Sequence, residues 1–204
     1  MPHAIAQPDP RLLAWEANHR FLNTLTALHG LLMNDFSRFP DPSVRQAVAV
    51  FSSRIQAFAD VHRTLGVQTG EPVIDAAAHL ARLCEELCVA HLAPRGLLCE
   101  VRLEQVVLPR ETCLNLGLIV VELVTNAAKH AFVGRTGGKV WVILRRSERS
   151  WICQVADNGA GLRPGPGGDG MKLVRGLAAY LGASLQVDSD TGGVTTTLRL
   201  PDRR

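Results

Sequence analysis

Apolar residues recur at helical spacing along the first third of the chain. In its first segment they lie three and four positions apart and so share one helix face: Phe21, Leu25, Leu28 and Leu32. This helix should run from about residue 11 to residue 38 and end at the Pro-containing stretch FPDPS. A second helix, with Ser43 as its expected cap, should continue to about residue 65 on the apolar positions Val44, Val48, Phe51, Ile55, Phe58 and Leu65. The pattern predicts a helical hairpin.

Such a hairpin buries only one side of each helix. Two copies would cover the remaining apolar surface by forming a four-helix bundle, so we predict a homodimer through residues 11–65. His19 points away from the apolar stripe of the first helix, beside Glu16, Asn23 and Thr26. From this segment alone, an ordinary solvated surface residue is the simpler interpretation of His19.

The pattern changes after residues 66–70, which we interpret as a linker. Beyond it, helical and strand-like segments alternate with turn signals. The helices are expected at about 74–91, 110–131 and 171–181, and the strands at 97–103, 139–145, 151–156, 184–188 and 195–200, with a hairpin turn at 190–193. This mixture predicts an α+β fold in which helices cover a mainly antiparallel sheet. The predicted domains are residues 11–66 and residues 72–201.

Composition narrows the class of protein without changing this picture. With 47% hydrophobic and 20% charged residues, the chain resembles ordinary soluble globular proteins. A net charge of +3 is too small to indicate nucleic-acid binding. No apolar run reaches the length of a membrane helix and the N-terminus lacks a signal-peptide pattern, so we expect a cytoplasmic protein without its own membrane anchor.

The five cysteines do not indicate a disulfide framework, because their number is odd and the chain is long. Cys84, Cys88 and His91 could share a helix face, with His79 nearby, so a zinc site has to be considered. The spacing matches no standard zinc finger. Packed core cysteines explain the pattern more simply.

The motif ELVTNAAKHAF, residues 122–132, places polar side chains near the end of an otherwise buried helix. Glu122, Asn126 and Lys129 are four and three positions apart and line one face, and His130 follows. A carboxylate, an amide oxygen and an ammonium group suit a hydrated magnesium ion with phosphate oxygens. A salt-bridged helix face explains this motif equally well when it is considered alone.

Two further motifs are rich in glycine. VADNGAGL, residues 155–162, follows a strand and puts Asp157 where it can accept hydrogen bonds from a ligand, although Asp-Asn-Gly is also ordinary turn chemistry. GGDGMKLV, residues 167–174, leads into a helix N-terminus, which favours anions. The chain has neither a GxGxxG fingerprint nor a Walker-type loop, so phosphate binding would need another nucleotide fold.

Taken together and in this order, the motifs resemble those of histidine kinases. NAAKHAF with the preceding Glu122 resembles the N box, DNGAGL the first glycine box and GDGMKLV the second. LGASLQVDSDTGGVTTTLRLP is similar to the C-terminal end of the same Bergerat-type (GHKL) ATPase domain. EANHRFLNTL resembles the phosphoacceptor helix of the HWE-related group, and SRIQAFADVHRTLG the end of its second dimerisation helix. The resemblance covers residues 11–201 and favours His19 as a phosphoacceptor.

The resemblance implies a kinase that uses ATP and Mg²⁺. His19 would receive the γ-phosphate, while Glu16 could hydrogen-bond the imidazole and Arg20 could pair with phosphoryl oxygens. In the ATPase domain, the resemblance implies that Asn126 binds magnesium and that Glu122 positions a magnesium-bound water or assists proton transfer. Lys129 and His130 would contact phosphate oxygens, and Asp157 would hydrogen-bond the adenine amino group. The glycines would allow the backbone to approach the nucleotide closely: Gly159 and Gly161 in the first glycine box, and Gly168 and Gly170 beside the triphosphate.

The chain departs from the family pattern in the loop that normally covers the nucleotide. Only eight residues separate Gly161 from Gly170, so this lid, residues 162–169, is short and rich in Pro and Gly. Met171 also stands where the family usually has Leu. Because only about ten residues precede the first helix, we expect the input to come from a separate sensor protein or an upstream kinase.

The leading functional hypothesis is a two-component histidine kinase core that phosphorylates His19 and then an aspartate in the receiver domain of a response regulator. The alternative is a histidine phosphotransferase that relays phosphate through His19 and carries a vestigial ATPase domain. The short lid favours the relay, and the intact Asn126, Asp157 and glycine motifs oppose it. An anti-sigma kinase type of regulator would not need the helical hairpin bearing His-Arg.

Overall fold

The chain divides into two compact units, Met1–Pro72 and Val73–Arg204. The structure, a computed structural model, describes residues 10–36, 40–65, 72–162 and 168–202. The whole predicted linker, residues 66–70, therefore lies outside the described residues, as do residues 163–167 of the predicted lid.

The first unit contains two helices that pack against each other, α1 (Pro10–Phe36) and α2 (Pro42–Thr64). The cap of α2 differs from the one predicted. Asp41 occupies the N-cap, and its carboxylate accepts hydrogen bonds from the backbone N–H and the hydroxyl of Ser43, each at 2.8 Å. The prediction of Ser43 as the cap was wrong because proline is favoured at the first position of a helix, so α2 already begins at Pro42.

The contact between the two helices is built mainly from small residues and from partly exposed rings. The buried residues of α2 are Ser52, Ala57, Ala59, Val61 and Thr64. The rings of Phe21 and Phe58 lie 6.0 Å apart in an edge-to-face arrangement, and the ring of His62 lies 4.5 Å from that of Phe58. Several large apolar side chains remain exposed in the single chain: Phe21, Leu28, Leu31, Met33, Val44 and Phe51. One copy of the hairpin therefore covers only part of the apolar surface that its sequence provides.

The second unit contains two sheets. Its strands are β1 (Val73–Asp75), β2 (Leu97–Leu103), β3 (Val107–Pro109), β4 (Gly138–Ser147), β5 (Ser150–Asp157), β6 (Ser184–Asp190) and β7 (Gly193–Pro201). β1 and β3 form a small antiparallel pair, and the main sheet has the order β2-β4-β5-β7-β6. Only the β2–β4 pair of the main sheet is parallel. The predicted, mainly antiparallel α+β architecture is confirmed.

The helices of this unit are α3 (Ala76–Leu87), α4 (Arg110–Asn126) and α5 (Asp169–Tyr180). Two of them end in π-helical turns, Cys88–Leu92 after α3 and Ala127–Ala131 after α4. The prediction that a helix begins near Ile74 was wrong, because Ile74 pairs with Leu108 in the small sheet. The helix starts after Asp75, whose carboxylate caps it by accepting a hydrogen bond from Ala78 N at 3.0 Å.

The core lies between α3–α5 and the inner face of the main sheet. Val120 and Val124 of α4 and Val140 and Val142 of β4 are fully buried in it. By length and composition, the span Arg110–Ala131 passes for a membrane helix, which contradicts the expectation that no such segment exists. However, 61% of its most apolar window is buried inside the unit, as is typical of the core helix of a globular domain.

Candidate functional site

His19 lies on the exposed surface of α1, as its position opposite the apolar stripe predicted. The side-chain amide nitrogen of Asn23 lies 3.2 Å from Nδ1 of the imidazole. The two residues are four positions apart, so successive helical turns place them side by side. Nδ1 is thus engaged by a neighbour on the same helix. Sequence analysis assigned no role to Asn23, although its spacing from His19 was visible.

Glu16 and Arg20 flank the histidine and form an ion pair. The guanidinium of Arg20 donates two hydrogen bonds to one carboxylate oxygen of Glu16, at 2.6 and 3.1 Å. Both side chains are exposed, so this pair contributes little to stability. The structure gives the Glu16 carboxylate a cation as partner, and it gives His19 an amide.

The end of α4 brings together the residues predicted to hold a metal ion. Glu122 and Asn126 are partly exposed and lie one turn apart. The backbone of Gly170, at the start of α5, packs directly on them. A Cβ atom at this position would lie 2.8 Å from Oε2 of Glu122 and 3.1 Å from Nδ2 of Asn126. Two motifs that are far apart in the sequence therefore share one small space, lined by a carboxylate and an amide.

Lys129 and His130 lie in the π-helical turn after α4 and are exposed. Because a π turn closes with a wider ring than an α turn, it rotates the positions after Asn126 relative to the α-helical face. The prediction of one straight α-helical face through Glu122, Asn126 and Lys129 therefore applies only to the first two. The turn carries Lys129 and His130 past the end of α4, at the surface.

Asp157 is the last residue of β5 and is half-buried. Its carboxylate accepts a hydrogen bond from Gly159 N at 2.8 Å. Burial raises the pKa of this carboxyl above its usual value, and hydrogen bonds from the backbone of Gly159 and Val194 oppose the rise. The result is a carboxylate at a strand end, held by its own loop and only partly hydrated.

The glycines of the first glycine box allow close approach between parts of the protein itself. A Cβ at Gly159 would lie 2.4 Å from the carbonyl oxygen of Ala131, which accepts a hydrogen bond from Ala160 N. Gly161 has φ +75°, and a Cβ there would lie 2.1 Å from the carbonyl oxygen of Asp190. These glycines fix the loop against the π turn and the β6–β7 hairpin, which sequence analysis did not foresee.

Gly168 differs from the other glycines of the predicted site. It is the N-cap of α5, and a Cβ there would meet nothing within 4 Å. Its φ of −62° is open to any residue. The local structure therefore makes no demand for glycine at this position, in contrast to Gly170 two residues later.

The predicted site residues of the second unit lie at one end of that unit. The end of α4 and the start of α5 meet at Gly170. The end of β5 meets the start of β7, since a Cβ at Gly193 would lie 1.8 Å from the carbonyl oxygen of Asp157. Within the described residues, no group of three or more His, Cys, Asp or Glu side chains forms a metal cluster. A magnesium ion needs no such cluster, since it is commonly bound by one or two protein oxygens together with water and phosphate.

Comparison with protein families matches both units. Residues 16–91 match the family described as histidine kinase. Residues 113–204 match the family of histidine kinase-, DNA gyrase B- and HSP90-like ATPases. The first match includes most of the helical hairpin and the second lies in the α+β sandwich, so the two families occur in the same order along the chain as the two units.

Individual relatives agree with these families. The chain is 28% identical to blue-light-activated histidine kinase 2 of Erythrobacter litoralis over 91% of its own length and 56% of that protein. It is 29% identical to the sensor histidine kinase PdtaS of Mycolicibacterium smegmatis, over 91% of its own length and 39% of that protein. It thus spans about half or less of the length of these relatives.

The structure also resembles a solved histidine kinase domain. The histidine kinase domain of the Erythrobacter litoralis EL346 blue-light activated histidine kinase superposes with a TM-score of 0.65 and 24% sequence identity, covering 86% of this chain and 95% of that one. At this level of identity, the likeness concerns the fold. The two family matches and the kinase relatives show that this chain belongs to the histidine kinase family.

Proposed function

We propose that the protein is a two-component histidine kinase core that uses ATP to phosphorylate His19 and then transfers the phosphoryl group to an aspartate of a response-regulator receiver domain. The observation that carries this proposal is the packing of Gly170 on Glu122 and Asn126. α5 packs on α4, yet Glu122 and Asn126 remain partly exposed, so their oxygens are available to a ligand. The intact contact supports a working kinase over a phosphate relay with a vestigial ATPase domain.

The proposed nucleotide site has a distinct group for each part of Mg-ATP. Asn126 and Glu122 offer the oxygen ligands that magnesium prefers, and the bound ion would neutralise charge on the phosphates. Lys129 and His130 lie at the exposed end of the π turn, where they can contact phosphate oxygens. Asp157, at the end of β5, is the acceptor for the adenine amino group.

His19 is the proposed nucleophile, and Asn23 sets its tautomer. An amide presents both a donor and an acceptor, and its oxygen and nitrogen can exchange places by rotation. The amide nitrogen faces Nδ1 in the structure, and rotation of the amide brings Oδ1 there to accept a hydrogen bond from Nδ1–H, so that Nε2 carries the lone pair. Nε2 then attacks the γ-phosphorus, the N–P bond forms, and the bond to the β-phosphate oxygen breaks as ADP leaves. The Nδ1 proton passes to solvent at the exposed face.

We further propose that the protein acts as a cytoplasmic homodimer through residues 11–65. The exposed apolar side chains of the hairpin support this, since Phe51 is 57% exposed and Leu31 63% exposed in the single chain. Exposed apolar surface of this kind on both helices is typical of an interaction site. A second hairpin would cover it by completing a four-helix bundle.

The test is incubation of the purified protein with Mg²⁺ and γ-labelled ATP. We expect acid-labile, base-stable label on the wild-type protein and none on Asn126→Asp, because a second carboxylate beside Glu122 changes the charge at the proposed metal site. Asn34→Asp makes the same chemical change on exposed α1 and should keep the label. An unlabelled wild-type protein that also fails to bind ATP would contradict the kinase proposal and support the phosphate relay.

A further inference from the structure

Two cysteines of the second unit meet between α3 and the main sheet. Cys84 is only 2% exposed and lies on the buried face of α3 with Leu80, Leu83 and Leu87. Cys99 lies on β2 opposite Val140, which is fully buried against the helices. α3 packs on β2, and the two thiols lie close enough for each to shift the pKa of the other. The thiol pair thus bridges a helix and a strand in contact with each other.

The two thiols differ in their access to solvent. β2 is the edge strand of the main sheet and has β4 as its one neighbour. Cys99 is accordingly half-exposed, whereas Cys84 is buried behind it. A small solute can reach the Cys99 thiol without opening the core, and the Cys84 thiol lies next to it.

We propose that Cys84 and Cys99 are a modification site at which a peroxide forms a reversible disulfide. Sγ of Cys99 attacks one oxygen of hydrogen peroxide, the O–O bond breaks, and water leaves, which gives a sulfenic acid. Sγ of Cys84 then displaces that hydroxyl as a second water and the S–S bond forms. In sum, two thiols and one hydrogen peroxide give one disulfide and two waters.

The surroundings of the cysteines favour this assignment of roles. The hydrogen bond from the Cys84 thiol lowers the pKa of the Cys99 thiol, which increases the share of the reactive thiolate. The same contact, together with burial, raises the pKa of Cys84. Burial raises the pKa of Cys113 and of Cys153 to about 12, so these two should remain reduced.

The site lies near the proposed nucleotide site. Cys99 pairs with Val140 across the sheet, and Val140 pairs with Asp157. With adjacent strands roughly 4.8 Å apart, the backbones of Cys99 and Asp157 are separated by about 10 Å. The disulfide would join α3 covalently to the edge strand β2. Cys99 is in register across the sheet with Val140 and then with Asp157, the proposed adenine acceptor.

The test uses the reduced full-length chain, hydrogen peroxide, alkylation of the remaining thiols and mass spectrometry of tryptic peptides. Cleavage after Arg82, Arg95 and Arg102 puts Cys84 and Cys88 in one peptide and Cys99 in the next. We expect these peptides to be linked, with a mass two hydrogens below their sum, and fragmentation to assign the bond to Cys84. Reductant should reverse the link.

Variants separate the proposed partner from its neighbour. Cys88→Ser should keep the link, because Cys88 takes no part in it. Cys84→Ser should lose the link and leave a sulfenic acid on Cys99 that dimedone traps. A wild-type protein without the link, or a bond that fragmentation assigns to Cys88, would overturn the proposal. The wild-type result does not depend on whether any variant folds.

Discussion

The two units complete their cores in different ways. The sandwich of the second unit buries most of its large apolar residues between helices and sheet, including Leu80, Leu116 and Leu144, although Leu98 and Tyr180 remain exposed. The hairpin leaves Phe51 and Leu31 more than half exposed. The motifs proposed to bind nucleotide thus lie on a unit with a large core of its own, whereas the proposed acceptor His19 lies on a hairpin that leaves much of its apolar surface uncovered. This difference fits a kinase in which assembly controls the acceptor and the rigid unit positions the nucleotide.

The largest effect that we expect is a loss of stability in the sandwich on changing Gly161 to alanine. A Cβ there would lie 2.1 Å from a carbonyl oxygen of the β6–β7 hairpin, at a positive φ. We expect the free energy of unfolding of this unit to fall by about 3 kcal/mol, measured by urea denaturation. Gly168→Ala is the matched control and should change it by less than about 0.5 kcal/mol. Equal effects would contradict the roles assigned to the two glycines.

The next effect concerns nucleotide affinity and pH. We expect Asp157→Asn to weaken ATP binding by about 10- to 100-fold in calorimetry, since it replaces an ionised acceptor. Because burial raises the pKa of Asp157, the charged form costs stability, and this cost appears as pH rises above the unfolded pKa of the carboxyl. The variant without nucleotide should therefore be at least as stable as the wild type at pH 7. An Asp157→Asn protein that is less stable than the wild type would contradict the cost assigned to the buried charge. Normal ATP binding by this variant would contradict the role of Asp157 in nucleotide binding.

A change in the hairpin should affect assembly and leave the sandwich intact. Phe51→Ser removes an exposed apolar side chain worth about 1.5–3 kcal/mol when buried. We expect the dimer dissociation constant to rise at least tenfold (about 1.4 kcal/mol), measured by sedimentation equilibrium. Gln46→Ser, at an exposed polar position of α2, is the control. A wild-type chain that is monomeric at micromolar concentration would remove the proposed dimer and with it the contrast between the units.

The smallest expected effects distinguish the neighbours of His19. Asn23→Ala should slow autophosphorylation by about tenfold, because the amide of Asn23 contacts the imidazole of His19. The carboxylate of Glu16, by contrast, pairs with Arg20. Glu16→Ala should change the free energy of unfolding by less than about 0.5 kcal/mol, as expected for an exposed pair. Initial rates with γ-labelled ATP compare the two variants. A normal rate for Glu16→Ala would remove the hydrogen bond predicted from the sequence, in which the Glu16 carboxylate accepts from the imidazole.

Strong local patterns made much of the fold predictable. The helix that begins at Arg110 was predicted correctly because a long apolar run defines it. The strand Leu97–Leu103 was predicted correctly because apolar residues at every second position follow a turn. The three-residue strands β1 and β3 carry too little pattern to be recognised, and the first was read as a helix start. The π turns depend on backbone geometry for which no residue type is a marker.

The candidate site was predictable as a set of motifs but not as a set of contacts. The resemblance placed Glu122, Asn126 and Gly170 in one site, and the structure brings them into contact. The contacts of Gly159 and Gly161 with Ala131 and Asp190 arise only when distant segments fold together, so no local pattern announces them. Apolar periodicity alone favoured a surface role for His19, and only the motifs around it indicated chemistry.

The most direct test of the central claim is to locate the phosphoryl group after incubation with Mg²⁺ and γ-labelled ATP. Three proteins are compared: wild type, His19→Gln, and His29→Gln, which changes another histidine of the same helix. The account predicts acid-labile label on the wild-type and His29→Gln proteins and none on His19→Gln. Label that persists in His19→Gln would contradict His19 as the acceptor.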